Sequence, residues 1–67
     1  MKKTETLIQT LNGKKLYLVI RHWYCVDSRD FKTETSYSIR FDGCVYPAWT
    51  NLSSLKVAQE IMKTPTN

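Results

Sequence analysis

Apolar and polar positions alternate through the first three quarters of the chain, then change to a helical spacing. Two turn dipeptides punctuate the alternating part. Asn12-Gly13 and Asp42-Gly43 are pairs favoured in two-residue type I′ hairpins, where both central residues need positive φ. The pattern predicts two hairpins, residues 6–11 with 14–26 and residues 35–41 with 44–49. In the second, a two-residue loop sets Phe41 opposite Cys44, Ile39 opposite Tyr46 and Tyr37 opposite Ala48, all on one face. Arg40, Ser38, Val45 and Pro47 take the other face. Pro47 has no N–H for a ladder, so this strand is expected at an edge, or to end early. In the first hairpin Leu7 falls opposite Leu18. Leu16, Leu18, Ile20, His22, Tyr24 and Val26 then form the core-facing side of the long strand, and Tyr17, Val19, Arg21, Trp23 and Cys25 the other. Residues 27–34 are charged, lack a clear period and read as a loop.

Beyond Trp49, Leu55, Ala58, Ile61 and Met62 recur at helical spacing, with Asn51 or Ser53 as the N-cap and Pro65 as the stop. A helix of about 11 residues is marginal alone, so it must dock on the apolar sheet face. The fold class is therefore α+β: a small antiparallel sheet of three to four strands in two hairpins, with one C-terminal helix packed on one face. Residues 1–67 read as one domain, with 1–4 and 65–67 as disordered tails.

Composition narrows the functions open to such a fold. The chain has 67 residues and a formal charge of +4, which bounds it to one small domain. A chain of this size buries only about 60% of its unfolded surface, which leaves little material for a deep catalytic pocket. Met1-Lys2-Lys3 is followed by Thr4-Glu5-Thr6 rather than an apolar segment, and no apolar run nears the roughly 20 residues of a membrane span. The expectation is a cytoplasmic chain with no membrane partner. The two cysteines, Cys25 and Cys44, then read as free thiols, with a single bridge as the other option.

Catalytic and metal chemistry find little support in the spacing. His22 and Cys25 lie three apart on a strand and so point to opposite faces, which separates nucleophile from base. A structural zinc site needs four ligands, and His22, Cys25 and Cys44 supply three without a paired-cysteine motif. Asp27, Asp30, Glu34 and Asp42 are scattered over a loop and a turn, without the alternating oxygens of a calcium loop. The chain reads as no enzyme, with no cofactor and no metal.

The face opposite the helix is richer. Tyr17, Arg21 and Trp23 share it, and Ser38 and Arg40 join them if strands two and three pair with these faces aligned. Guanidinium groups suit phosphates and guanine edges, and aromatics suit base stacking. Lys14 and Lys15 in the first turn add phosphate contacts. The candidate site is thus Lys14, Lys15, Tyr17, Arg21, Trp23, Ser38 and Arg40. Trp, Tyr and Arg also dominate protein-binding hot spots, and a stiffening role with no ligand is the plain alternative. A pI near 9.3 favours a polyanion or an acidic protein surface, although the cations are dispersed.

Two local resemblances bear on this. The stretch Ile20-Arg21-His22-Trp23-Tyr24-Cys25-Val26-Asp27-Ser28-Arg29-Asp30-Phe31-Lys32-Thr33-Glu34 resembles the sheet of the amino-terminal arm-binding domain of lambda-type integrases. That resemblance implies a three-stranded sheet with a carboxy-terminal helix and a sheet that enters the DNA major groove, with Arg21, Trp23 and Arg40 on the DNA side. Gly43-Cys44-Val45-Tyr46-Pro47-Ala48-Trp49 and Leu55-Lys56-Val57-Ala58-Gln59-Glu60-Ile61 are similar to short uncharacterised proteins of lambdoid phages, which implies a phage or mobile-element origin. The leading expectation is an accessory protein that binds nucleic acid through the exposed sheet face. The alternative is a small inhibitor or adaptor acting on a host protein. Either is a monomer or a homodimer paired through an edge strand.

Overall fold

Asn12 and Gly13 both hold positive φ, at 54° and 73°, as a type I′ turn requires. They join strand β1, Lys2–Leu11, to strand β2, Lys14–Cys25. The computed structural model describes residues 2–64. Strand β3, Asp30–Phe41, pairs with β2 without interruption from Lys14 opposite Phe41 to Cys25 opposite Asp30. Strand β4, Trp49–Leu52, completes an open antiparallel sheet in the order β1-β2-β3-β4. Helix α1, Leu55–Lys63, lies across one face of it. The architecture is α+β, as the alternating and helical patterns imply.

Several strand limits differ from those read in the sequence. β1 begins at Lys2, so Lys2–Thr4 are paired with Ile20–His22 rather than forming part of a tail. Met1 and the expected tail 65–67, with the stop at Pro65, lie outside the described residues. The segment 27–34 is mostly strand: β3 starts at Asp30, after a turn over residues 26–29 in which Arg29 has φ 53°. The physical signal is Phe31, Thr33, Thr35, Tyr37 and Ile39 alternating with Lys32, Glu34, Ser36, Ser38 and Arg40. Thr is a strand former although it is not apolar. In β1 the register shifts between Leu7 and Gln9, so Leu7 sits opposite Tyr17, not Leu18. This bulge at Ile8 turns Leu7 onto the face away from the helix.

The Asp42-Gly43 turn forms, with Cys44 N donating to Phe41 O at 3.0 Å. Only Gly43 of the two central residues has positive φ, so the turn is not type I′ and does not send the chain straight back. Residues 44–48 leave the sheet. Pairing resumes where Ala48 N donates to Ile39 O at 2.9 Å, and Ile39 then faces Trp49, with Leu52 opposite Tyr37. Trp49 rather than Tyr46 thus fills the position beside Ile39, its ring 5.5 Å from that of Phe41. Cys44, Tyr46 and Ala48 are exposed, not core.

The core lies between the turn-proximal half of the sheet and α1. Leu16 and Ile39 from the sheet are buried against Ala58 and Met62 from the helix, with Tyr37, Trp49, Leu52 and Ile61 packed around them. Ser54, not Asn51 or Ser53, caps α1: its Oγ accepts from Val57 N at 3.4 Å. Asn51 is instead held at φ 58° within β4. The helix C-terminus is tied to the first turn. Asn12 Nδ2 donates to Met62 O and Lys63 O, both at 3.1 Å, and Lys14 Nζ donates to Thr64 O. These donors satisfy carbonyls that a helix end leaves without intrahelical partners, and the ammonium suits the negative end of the helix dipole. No helix among the described residues is long and apolar enough to cross a membrane.

Replacing Met62 by Ala is expected to lower the unfolding free energy by about 2–4 kcal/mol, since it empties a buried core position. A domain of this size has a total of about 3–10 kcal/mol, so the loss is a large fraction of the whole. Tyr24→Ala, on the uncovered part of the same face, should cost less than about 1 kcal/mol. Urea denaturation of both variants checks the contrast. Equal losses would refute this placement of the core.

Candidate nucleic-acid interface

Strand alternation and register decide which side chains share the face away from α1. Odd positions of β2 face even positions of β3: Lys15 pairs with Arg40, Tyr17 with Ser38, Val19 with Ser36, Arg21 with Glu34 and Trp23 with Lys32. From β1, Lys3 stands beside Arg21, Glu5 beside Val19 and Leu7 beside Tyr17. The open face therefore gathers Lys15, Tyr17, Arg21, Trp23, Ser38 and Arg40, six of the seven residues singled out in the sequence.

Lys14 is not among them. As an even residue of β2 it points to the helix side, where it is 2% exposed and its ammonium holds the end of α1. It is a structural residue and offers nothing to a phosphate. Adjacent lysines in a strand cannot serve one face, so Lys14 and Lys15 divide between the two.

The half of the open face nearest the first turn is internally neutralised. Arg40 Nη2 donates to Glu5 Oε2 at 2.6 Å, and the guanidinium lies 4.7 Å from the centre of the Tyr17 ring. Glu5 also draws Lys3 Nζ to 3.9 Å, and Lys15 Nζ stands 3.8 Å from Asp42 Oδ1. Val19, Ser36 and Ser38 are buried beneath these long side chains. Ser38 Oγ and Arg40 Nε are buried without a hydrogen-bond partner. The arginine expected to reach a ligand is thus committed to a strand-bridging ion pair with a ring beneath it.

Further from the turn the balance changes. Arg21 Nη1 donates to Glu34 Oε1 and to Asn51 Oδ1, both at 3.2 Å. Lys3, Arg21, Trp23 and Glu34 line an open concavity. Lys32 stands directly across from Trp23 and has no ion pair among the described residues. Three cations from three adjacent strands, Lys3, Arg21 and Lys32, thus lie around the half-buried indole of Trp23, with Glu34 against Arg21 and Glu5 3.9 Å from Lys3. Sequence reading missed Lys3 and Lys32, because one lay in an expected tail and the other in an expected loop. The alternation around Lys32 was the available signal.

Other candidate chemistry is placed as follows. His22 and Cys25 point to opposite sides of the sheet, and His22 Nδ1 lies 3.1 Å from Thr33 Oγ1. Hydrogen bonding from Ser28, first through its side chain and then its backbone, lowers the Cys25 pKa from the ordinary thiol value. Cys25 and Cys44 are both free thiols. Among the described residues no three His, Cys, Asp or Glu side chains come together to hold a metal ion.

Arg40→Ala should cost about 1–2 kcal/mol of stability, because it removes a short ion pair and the contact over Tyr17. Lys15→Ala breaks only an exposed, long pair and should cost under about 0.5 kcal/mol. Thermal or urea unfolding of the two variants distinguishes a structural arginine from a surface cation. Matching stabilities would show that Arg40 is no part of the framework.

No family model matches the chain, and neither a curated protein nor a solved structure matches it.

Proposed function

We propose that this chain is a non-enzymatic module that binds nucleic acid through the open sheet face, as a single strand laid across its turn-distal half. The observation that carries the reading is Trp23 surrounded by Lys3, Arg21 and Lys32 from three neighbouring strands. A base stacked on an indole contributes about 1–3 kcal/mol, and flanking cations neutralise successive phosphates. An open sheet suits bases already free of a duplex, since an aromatic platform needs an unstacked partner. The working centre is Trp23, Arg21, Lys3 and Lys32. Lys15 lies further along the same face, while Tyr17, Ser38 and Arg40 form the support beneath it. A phage or mobile-element origin and a cytoplasmic site of action belong to the same proposal and rest on the sequence pattern alone. The alternative, a small inhibitor or adaptor acting on a host protein, uses the same aromatic and arginine surface, since Trp, Tyr and Arg dominate protein-binding hot spots.

Titrating the protein with an oligothymidine strand should quench part of the tryptophan emission. With about three phosphates neutralised, affinity should fall about tenfold or more between 50 and 200 mM salt. Trp23→Ala should weaken binding by about tenfold or more, while Lys14→Met should leave affinity unchanged in protein that remains folded. Absence of binding at 50 mM salt, or full binding by Trp23→Ala, would overturn the proposal. Tighter binding of a duplex of the same length would move the site from a stacking platform to a groove reader.

A further inference from the structure

Resting on the nucleic-acid reading, we infer that the concavity of Lys3, Arg21, Trp23 and Glu34 selects guanine among the bases of a bound single strand, and that Glu34 is the residue that reads it. Phosphate binding gives Glu34 no task, because a carboxylate among cations weakens the attraction of the surface for a polyanion. Holding Arg21 does not require a charge at this position either. The same Arg21 nitrogen, Nη1, donates to Glu34 Oε1 and to the neutral Asn51 Oδ1, both at 3.2 Å. The concavity as a whole is close to neutral: Glu34 stands 3.2 Å from Arg21, and Glu5 3.9 Å from Lys3. Lys32, across from Trp23, has no ion pair among the described residues. A near-neutral hollow with donors, an acceptor and a ring suits a base, and the unpaired Lys32 suits the phosphate next to it.

The atoms left open decide which base. Among the described residues Glu34 makes its bonds through Oε1 alone, and its side chain is 52% exposed. Arg21 makes both of its bonds through Nη1, which leaves the donors of Nε and Nη2 for a ligand. Acceptor oxygens thus stand next to guanidinium donors. Trp23 pairs with Lys32 and Arg21 with Glu34, so Trp23 and Glu34 are diagonal neighbours on one face. Such neighbours lie about 7–8 Å apart, within reach of long side chains, so a base stacked on the indole can turn an edge to the carboxylate. A carboxylate accepts and does not donate. The Watson–Crick edge of guanine carries two adjacent donors, N1–H and the 2-amino group, followed by the O6 acceptor. Two carboxylate oxygens and a guanidinium match that order. Cytosine and adenine each set a ring-nitrogen lone pair beside their one amino group, and that lone pair repels a carboxylate. Thymine and uracil have a single N–H between two carbonyl oxygens, which is a poorer fit still.

The test is the affinity of seven-base DNA strands that differ only at the centre, measured by fluorescence anisotropy of an end-labelled strand at 50 mM salt. The outer bases are thymine, and the central base is thymine, guanine or hypoxanthine. Hypoxanthine keeps the N1–H and O6 of guanine and lacks the 2-amino group. The guanine strand should bind about tenfold tighter than the all-thymine strand, and the hypoxanthine strand should lose most of that gain. In Glu34→Ala the ratio of guanine to thymine affinity should fall to about one, with the melting temperature within a few degrees of the parent. Equal binding of the guanine and hypoxanthine strands would assign the preference to stacking and overturn the inference. A guanine preference that persists in Glu34→Ala would do the same. Equal binding of all three strands, still lost in Trp23→Ala, would refute base selection while the nucleic-acid reading stands. Binding of none of them would refute both.

Discussion

Helix α1 is too short for the sheet it stabilises, and the rest of the molecule depends on how that shortfall is met. A sheet of this size needs an apolar face removed from water, and α1 supplies the only helical cover among the described residues. Its contribution is concentrated in Leu16, Ile39, Ala58 and Met62, with Trp49 and Leu52 brought in from β4. The C-terminal end of the helix is fixed over the first turn by Asn12 and Lys14. That anchoring determines which part of the sheet is covered. The longest pairing, between β2 and β3, continues well past it.

The two sides of the sheet solve different problems. The open face near the first turn covers itself. Arg40, Glu5 and Tyr17 form a polar and aromatic layer over Val19, Ser36 and Ser38, so no second helix is required there. A layer of this kind explains why both faces of β2 carry large side chains. Further out, cations collect around Trp23 on one side and apolar rings collect beside Lys2 and His22 on the other. The dispersed positive charge of the chain thus resolves into two surfaces of different chemistry.

The sequence made the architecture legible because its strongest signals are local. Asn12-Gly13 specifies one turn geometry, and the helical spacing of Ala58, Ile61 and Met62 specifies one buried stripe. The second hairpin was misread because Asp42-Gly43 permits more than one turn. Only tertiary packing decides that Trp49, rather than Tyr46, sits beside Ile39. The bulge at Ile8 was equally hidden, since a register shift leaves no mark in alternation until the partner strand is known. Parity alone brings six of the seven candidate residues to one face. Their roles were not legible: whether Arg40 is free or bound depends on Glu5, which is distant in sequence and adjacent only in the folded sheet.

The bonds from Asn12 and Lys14 to the end of α1 span 50 to 51 residues of sequence. The element that closes the core is thus the one that follows all four strands, and it closes onto the first turn. During synthesis the strands emerge before their cover exists, and β2 and β3 can zip together while their apolar side is still wet. Such long-range closure makes folding slower than for a chain of local contacts and leaves a pre-closure species with a sticky face. The last helical turn therefore ties the end of the chain to its first turn, and its loss would uncover Leu16 and Ile39 together.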